Sequence, residues 1–190
     1  MKVQHLILSV FALSVTAGYA HDDVVYRTET DWCFDPGNQS VAADTYESAF
    51  LGGALVADYN GDGIPDICEI DTSGEELRWI WKLGNGDNGY TEIAPVTFGE
   101  TATDKCTVGD FNGDGKADMA ILRSGAALAT WYIDYAPCDG NFDEKGYFGL
   151  SGDIPLSGDF NADGVNDICV YRPSTGTWYV CFADISGFPE

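Results

Sequence analysis

The stretch Asp110-Phe-Asn-Gly-Asp-Gly-Lys-Ala-Asp118 decides how this chain reads, because the pattern occurs three times. Asp58-Tyr-Asn-Gly-Asp-Gly-Ile-Pro-Asp66 and Asp159-Phe-Asn-Ala-Asp-Gly-Val-Asn-Asp167 align with it without gaps, and the first aspartates lie 52 and 49 residues apart. Such a period is the length of one supersecondary unit in a repeat protein. The likeness extends beyond the loops. Each is followed by an apolar run (Ile67-Cys68, Met119-Ala-Ile-Leu122, Ile168-Cys-Val-Tyr171), then a turn and an aromatic segment (Trp79-Ile-Trp81, Trp131-Tyr-Ile133, Trp178-Tyr-Val180). Phe98-Gly99 and Phe148-Gly149 stand ahead of the second and third loops, and a partial copy, Val25-Tyr-Arg27 with Trp32, has no aspartate loop before it.

These runs are short, rich in β-branched and aromatic residues, and punctuated by Gly, Pro, Asn and Asp, which is the signature of strands. Only residues 42–51 hint at a helical apolar period. The expected fold is all-β: an array of three to four antiparallel blades, with a partial repeat at about 25–50 and full repeats at about 51–97, 98–147 and 148–190.

Within each loop, side-chain oxygens stand at positions 1, 3, 5 and 9: Asp58, Asn60, Asp62 and Asp66; Asp110, Asn112, Asp114 and Asp118; Asp159, Asn161, Asp163 and Asp167. The backbone carbonyls of Ile64, Lys116 and Val165 at position 7 complete each set. Alternate oxygen ligands with glycine at position 6 suit a hard cation such as Ca²⁺, which takes six to eight oxygens, whereas zinc would prefer His or Cys. A single Asx/Gly loop is also a good turn with no metal. Three copies with the same oxygen positions favour metal, and about three calcium ions are expected. An EF-hand would need an acid at position 12, where the loops carry Glu69, Ile121 and Val170, and helices on both sides, which Pro65 opposes.

The second loop and the segment Val170-Tyr-Arg-Pro-Ser-Thr-Gly-Thr-Trp-Tyr179 resemble the FG-GAP/VCBS repeats of secreted proteins, related to the calcium loops of the integrin α-subunit propeller. The resemblance covers about residues 25–182. It implies four-stranded propeller blades with calcium held between the first two strands of each, in modules that serve adhesion, lectin-like or enzyme-accessory roles. Closure within one chain, an open arc and closure through a homo-oligomer all fit three and a half copies.

The chain has 190 residues and a formal net charge of −22, with 31 acidic and 9 basic residues. That balance argues against nucleic acid or an anionic membrane surface as partner. At 45% apolar and 13% aromatic the chain has the composition of a folded domain rather than an acidic tail. Residues 1–20 read as a secretory signal: Lys2, an apolar stretch from Leu6 to Ala17 too short to span a bilayer, and small residues before a cut that leaves His21 first. Residues 21–190 are then the exported repeat domain, extracellular or periplasmic.

Six cysteines (33, 68, 106, 138, 169 and 181) in an oxidising destination imply disulfides, although fifteen pairings exist. Cys169 and Cys181, flanking a tight turn, are the pair with local support. No catalytic set stands out. His21 would be the single histidine after cleavage, and nine of the 31 acids already belong to the loops. The expected function is binding, to a glycan or an extracellular protein. Trp32, Trp79, Trp131 and Trp178 recur once per hairpin and are expected to pack between blades, leaving Trp81 as the candidate for an exposed contact. Asn38-Gln-Ser40 is the one N-glycosylation sequon.

Overall fold

The computed structural model describes residues 54–86 and 89–182 with their side chains, and the backbone of three earlier strands. The signal segment, His21, the sequon at Asn38 and the side chains of the partial repeat lie outside the described residues. Strands β1 (Val24–Arg27), β2 (Asp31–Asp35) and β3 (Asp44–Glu47) form an antiparallel sheet in that order. Residues 44–47, within the stretch with a helical hint, are therefore strand. Its apolar spacing is too brief to sustain a helix, and pairing with β2 satisfies the backbone instead.

The three full repeats build three further sheets. The second contains β4 (Ala54–Ala57), β5 (Asp66–Asp71) and β6 (Glu76–Gly84), with β7 (Tyr90–Glu92) and β8 (Val96–Glu100) both pairing with β6. Phe98-Gly99 thus completes the sheet of the repeat before it. The third holds β9 (Asp104–Gly109), β10 (Asp118–Arg123), β11 (Thr130–Asp134) and β12 (Glu144–Tyr147) in sequence order. The fourth holds β13 (Ile154–Gly158), β14 (Asp167–Arg172) and β15 (Thr177–Cys181). All pairings are antiparallel, and no helix occurs among the described residues. The all-β expectation stands.

Side-chain alternation explains how the sheets associate. On β10 the residues Asp118 to Leu122 are all buried, because both faces of the third sheet are covered. Met119 and Ile121 enter a core shared with Cys68, Ile70, Leu77 and Trp79 of the second sheet. Ala120 and Leu122 point the other way, with Trp131 and Ile133, into a core shared with Ile168 and Val170 of the fourth. A one-residue slip of β10 would exchange the two sets and ruin both cores. Burying side chains of this size contributes roughly 1.5–3 kcal/mol each.

Each hairpin tryptophan in a covered sheet is tied down by its polar edge. The Trp79 indole N–H donates to the Phe98 carbonyl at 2.8 Å, and that of Trp131 donates to the Phe148 carbonyl at 3.0 Å. Both side chains have no solvent exposure. The other two expectations about tryptophan are corrected. Trp178 is 57% exposed, since no sheet among the described residues covers the far face of the fourth. Trp81 is only 3% exposed: it pairs with Cys68 across β5 and packs edge-on against Tyr59, ring centroids 6.2 Å apart, inside the first core.

The suggested Cys169–Cys181 disulfide is also corrected. The turn between them is there, closed by the Gly176 N–H donating to the Arg172 carbonyl at 2.9 Å. However, Cys169 pairs with Val180 and Cys181 with Ile168, so the two cysteines occupy opposite faces of the sheet. All five cysteines among the described residues are free thiols.

Candidate functional site: three stacked aspartate loops

Each aspartate loop joins the first strand of its sheet to the second: β4 to β5, β9 to β10 and β13 to β14. In the second loop the Asp110 carboxylate closes the turn, Oδ1 accepting from the Gly113 N–H at 2.6 Å and Oδ2 from the Gly115 N–H at 2.8 Å. Asn112 Oδ1 accepts from the Asp114 N–H at 2.9 Å, and Asp114 Oδ1 from the Lys116 N–H at 2.9 Å. Asp118, at the start of β10, takes the Phe111 N–H at 2.8 Å and the Ala136 N–H at 2.8 Å. The first loop repeats this arrangement with Asp58, Asn60, Asp62 and Asp66, and the third with Asp159, Asn161, Asp163 and Asp167. The bonds from positions 5, 6 and 7 recur in all three loops, whereas the position 4 N–H bond to the first aspartate is made by Gly61 and Gly113.

The loops also stack on one another. The Ala117 N–H donates to the Asp58 carbonyl at 2.7 Å, and the Asn166 N–H donates to the Asp110 carbonyl at 2.7 Å. Position 8 of one loop thus bonds to position 1 of the loop before it. Pro65 holds position 8 of the first loop, which no aspartate loop precedes, so the missing N–H costs no stacking bond there. The side chain at position 7 covers the preceding loop. A Cβ on Gly61 would lie 3.1 Å from Lys116 Cγ, and one on Gly113 would lie 3.2 Å from Val165 Cγ2.

The position 9 carboxylates Asp66, Asp118 and Asp167 have no solvent exposure. Burial raises the pKa of Asp66 to about 6, with Asp58 and Asp62 adding to it, against the pull of two backbone N–H bonds. Burial likewise raises Asp118 to about 7, with Asp110 and Asp114 adding. The first and second loops therefore gather negative charge, and among the described residues no salt bridge reaches Asp58, Asp62, Asp66, Asp110, Asp114 or Asp118.

The donor set suits a hard cation. It offers carboxylate, amide and carbonyl oxygens and no nitrogen or sulfur, and a carboxylate oxygen that accepts one N–H keeps a lone pair free. As the side chains stand, no three acidic, His or Cys groups among the described residues are close enough together to hold an ion without moving.

Two features were not singled out in the sequence. The first is the face beyond the fourth sheet, where Trp178, Phe160 and Phe182 are 57%, 52% and 59% exposed. Tyr171 packs against Trp178 there, with ring centroids 5.0 Å apart. The available signal was that no further aspartate loop of this pattern stands between residue 167 and residue 182, the last one described. The second is the turn Asp134 to Asp143, where buried Asp134 accepts the Gly140 N–H at 2.6 Å.

Taken together, repeated sheets, loops between first and second strands, and loop-to-loop bonds define an all-β repeat protein. Residues 58–121 match the family model described as the FG-GAP-like repeat. That segment runs from the first aspartate loop into β10, and over it the chain is similar to the FG-GAP-like repeat. No curated protein matched the chain.

Proposed function

We propose that the protein is an exported, calcium-stabilised, propeller-like module that acts by binding a glycan or an extracellular protein rather than by catalysis. The observation that carries this reading is the threefold recurrence of one oxygen-only donor set in equivalent positions, between the first and second strands of each sheet. Asp58, Asn60, Asp62, Asp66 and the Ile64 carbonyl would hold one ion. Asp110, Asn112, Asp114, Asp118 and the Lys116 carbonyl would hold the second, and Asp159, Asn161, Asp163, Asp167 and the Val165 carbonyl the third. A bound divalent cation would supply positive charge where the carboxylates crowd. The chain's own residues do the rest: the backbone N–H bonds orient the carboxylates, and the stacking bonds carry order from loop to loop. The exposed aromatic face of the fourth sheet is where a sugar ring or an apolar protein surface would dock, because stacking on such side chains needs no opposite charge.

Thermal unfolding in chelator and in millimolar calcium, with magnesium at equal ionic strength, tests the metal reading. Ions that bind the folded chain raise stability by about 2.7 kcal/mol per site at a hundredfold excess over Kd. A midpoint that rises in calcium only supports it; an equal shift in magnesium, or none, overturns it. A glycan array probed with the parent and with Trp178→Ala, each with calcium and with chelator, tests the ligand reading. Calcium-dependent capture lost in the variant is expected, and silence across the array with an intact calcium shift would leave a purely structural module.

A further inference from the structure

The second, third and fourth sheets are fastened at two joints by the same contacts. Where the second sheet passes into the third, the Arg123 guanidinium grips Asp104, Nε donating to Oδ1 at 2.8 Å and Nη2 to Oδ2 at 2.7 Å. Asp104 Oδ2 also accepts the Glu100 N–H of β8 at 2.7 Å. Where the third passes into the fourth, Arg172 grips Asp153 at 2.9 and 2.8 Å, and Asp153 Oδ2 accepts the Leu150 N–H at 2.8 Å. Each aspartate thus ties the start of one sheet to the chain leaving the sheet before it, through a bidentate charge-assisted pair. The same two joints carry the loop-to-loop bonds from Ala117 and Asn166.

The joint between the first sheet and the second is built differently. The aspartate of each lock stands six residues before its loop and the arginine five residues after it; around the first loop those places hold Gly52 and Asp71. Asp71 accepts the Ser73 N–H at 2.9 Å and lies 3.9 Å from Arg78, whose side chain is 52% exposed. Pro65 has no N–H to offer a preceding loop. The face changes as well. Ile121 and Val170 turn apolar side chains toward the sheet before their own, into the two cores. The equivalent residue of the second sheet is Glu69, on the side of β5 opposite Cys68 and Ile70. It pairs with Lys82 at 3.0 Å, and the two side chains are 4% and 6% exposed, so this face is covered. The repeat next in order on that side is the first. Opening an apolar core to water forfeits its whole gain, whereas a charged pair recovers hydration when uncovered.

We propose that the first sheet, β1 to β3, docks on the Glu69–Lys82 face and undocks from it as a unit while the second, third and fourth sheets stay together. Lock, loop bond and apolar face are all missing at this one joint, so local opening there costs less than at either of the others. What it uncovers is a face carrying one positive and one negative charge rather than a bare core. Gly52, Pro65 and Asp71 are not among the proposed ion ligands, so the inference stands apart from calcium.

Hydrogen–deuterium exchange of the full chain in millimolar calcium, read by peptide mass spectrometry, tests this. Peptides covering 24–47 should exchange together, more slowly than a free peptide of that sequence but faster than peptides covering β5, β10 and β14. Equal protection in all four sheets, or none in 24–47 beyond the free peptide, overturns the proposal. Gly52→Asp and Asp71→Arg together rebuild the lock. The double variant should slow exchange in 24–47 about tenfold while neither single change does, as one bidentate contact requires. Unchanged exchange there, with the other sheets still protected, overturns the proposal. A second variant covers the case in which the rebuilt lock misfolds: Glu69→Leu with Lys82→Met makes the face apolar and should also slow exchange in 24–47, and exchange as fast as the parent's or faster overturns the proposal. The expected pattern in a chain whose melting midpoint ignores calcium would sink the metal reading and leave this one standing.

Discussion

Asp134 shows how a single group can set the pH response. It is 1% exposed, and among the described residues no cation pairs with it. Burial raises its pKa to about 6, with Asp139 and Asp143 adding to the shift and the Gly140 and Asp139 N–H bonds resisting it. An unfolded aspartate titrates near ~3.9, so between these values the folded chain binds the extra proton and stability falls as pH rises through about 6. Asp153 has the opposite sign. The Arg172 guanidinium, with bonds of 2.9 and 2.8 Å, holds it below the usual range, so its contribution is present at neutral pH and is lost only in acid. In chelator the parent should therefore resist urea better at pH 5.5 than at pH 7.5. Asp134→Asn should shrink that difference without abolishing it, because Asp66 and Asp118 are raised as well. An undiminished difference in the variant would show that Asp134 ionises normally.

At the scale of elements, the loops explain their own variation. Position 6 is glycine in all three, at φ 81°, 84° and 92°, with nothing near a would-be Cβ, so the backbone angle alone demands it. Position 4 is glycine only where a following loop covers it: Gly61 under Lys116 and Gly113 under Val165. The third loop carries Ala162 there, at φ 63°, with no following loop among the described residues to collide with. Ala162→Gly should therefore stabilise by roughly 0.5–1 kcal/mol through relief of the backbone. Gly113→Ala should cost the same roughly 0.5–1 kcal/mol, backbone strain net of chain entropy, plus the contact with Val165. Urea midpoints at constant slope measure both. Equal and opposite shifts would mean that the loop above Gly113 exerts no pressure. Much of this level was legible in the sequence. Period, strand punctuation and oxygen spacing are local properties, and they placed the loops and the tryptophan hairpins. The glycine-to-alanine change at 162 was visible too, but its meaning required knowing which loop lies on which. Strand parity likewise decides against Cys169–Cys181, and parity depends on a register that the turn sequence alone did not reveal.

At the scale of the whole molecule, the sequence hinted at which sheet goes uncovered among the described residues but not at which side chains that exposes. Trp79, Trp131 and Trp178 look alike in sequence because each follows the same turn, yet burial belongs to the next sheet and not to the residue. Trp79 and Trp131 have that sheet, and Trp178 does not among the described residues; the difference is 0%, 0% and 57% exposure. Trp81, odd in sequence, is buried because it faces the same core as Cys68. Collisional quenching of tryptophan emission by acrylamide turns this into a measurement. Trp79, Trp81 and Trp131 are shielded, so most of the readily quenched emission from these four should come from Trp178, and Trp178→Phe should remove it. Trp79→Phe, in contrast, should leave the quenched fraction intact while lowering stability through the lost bond to the Phe98 carbonyl. If, with Trp32 replaced by Phe throughout, the quenched fraction survives Trp178→Phe, the far face of the fourth sheet is closed in solution, and a ligand would have to bind elsewhere. If it is lost, the same signal serves as a binding assay. A sugar or protein surface that docks on this face should protect Trp178 from acrylamide, and do so only under conditions in which the three loops hold the sheets together.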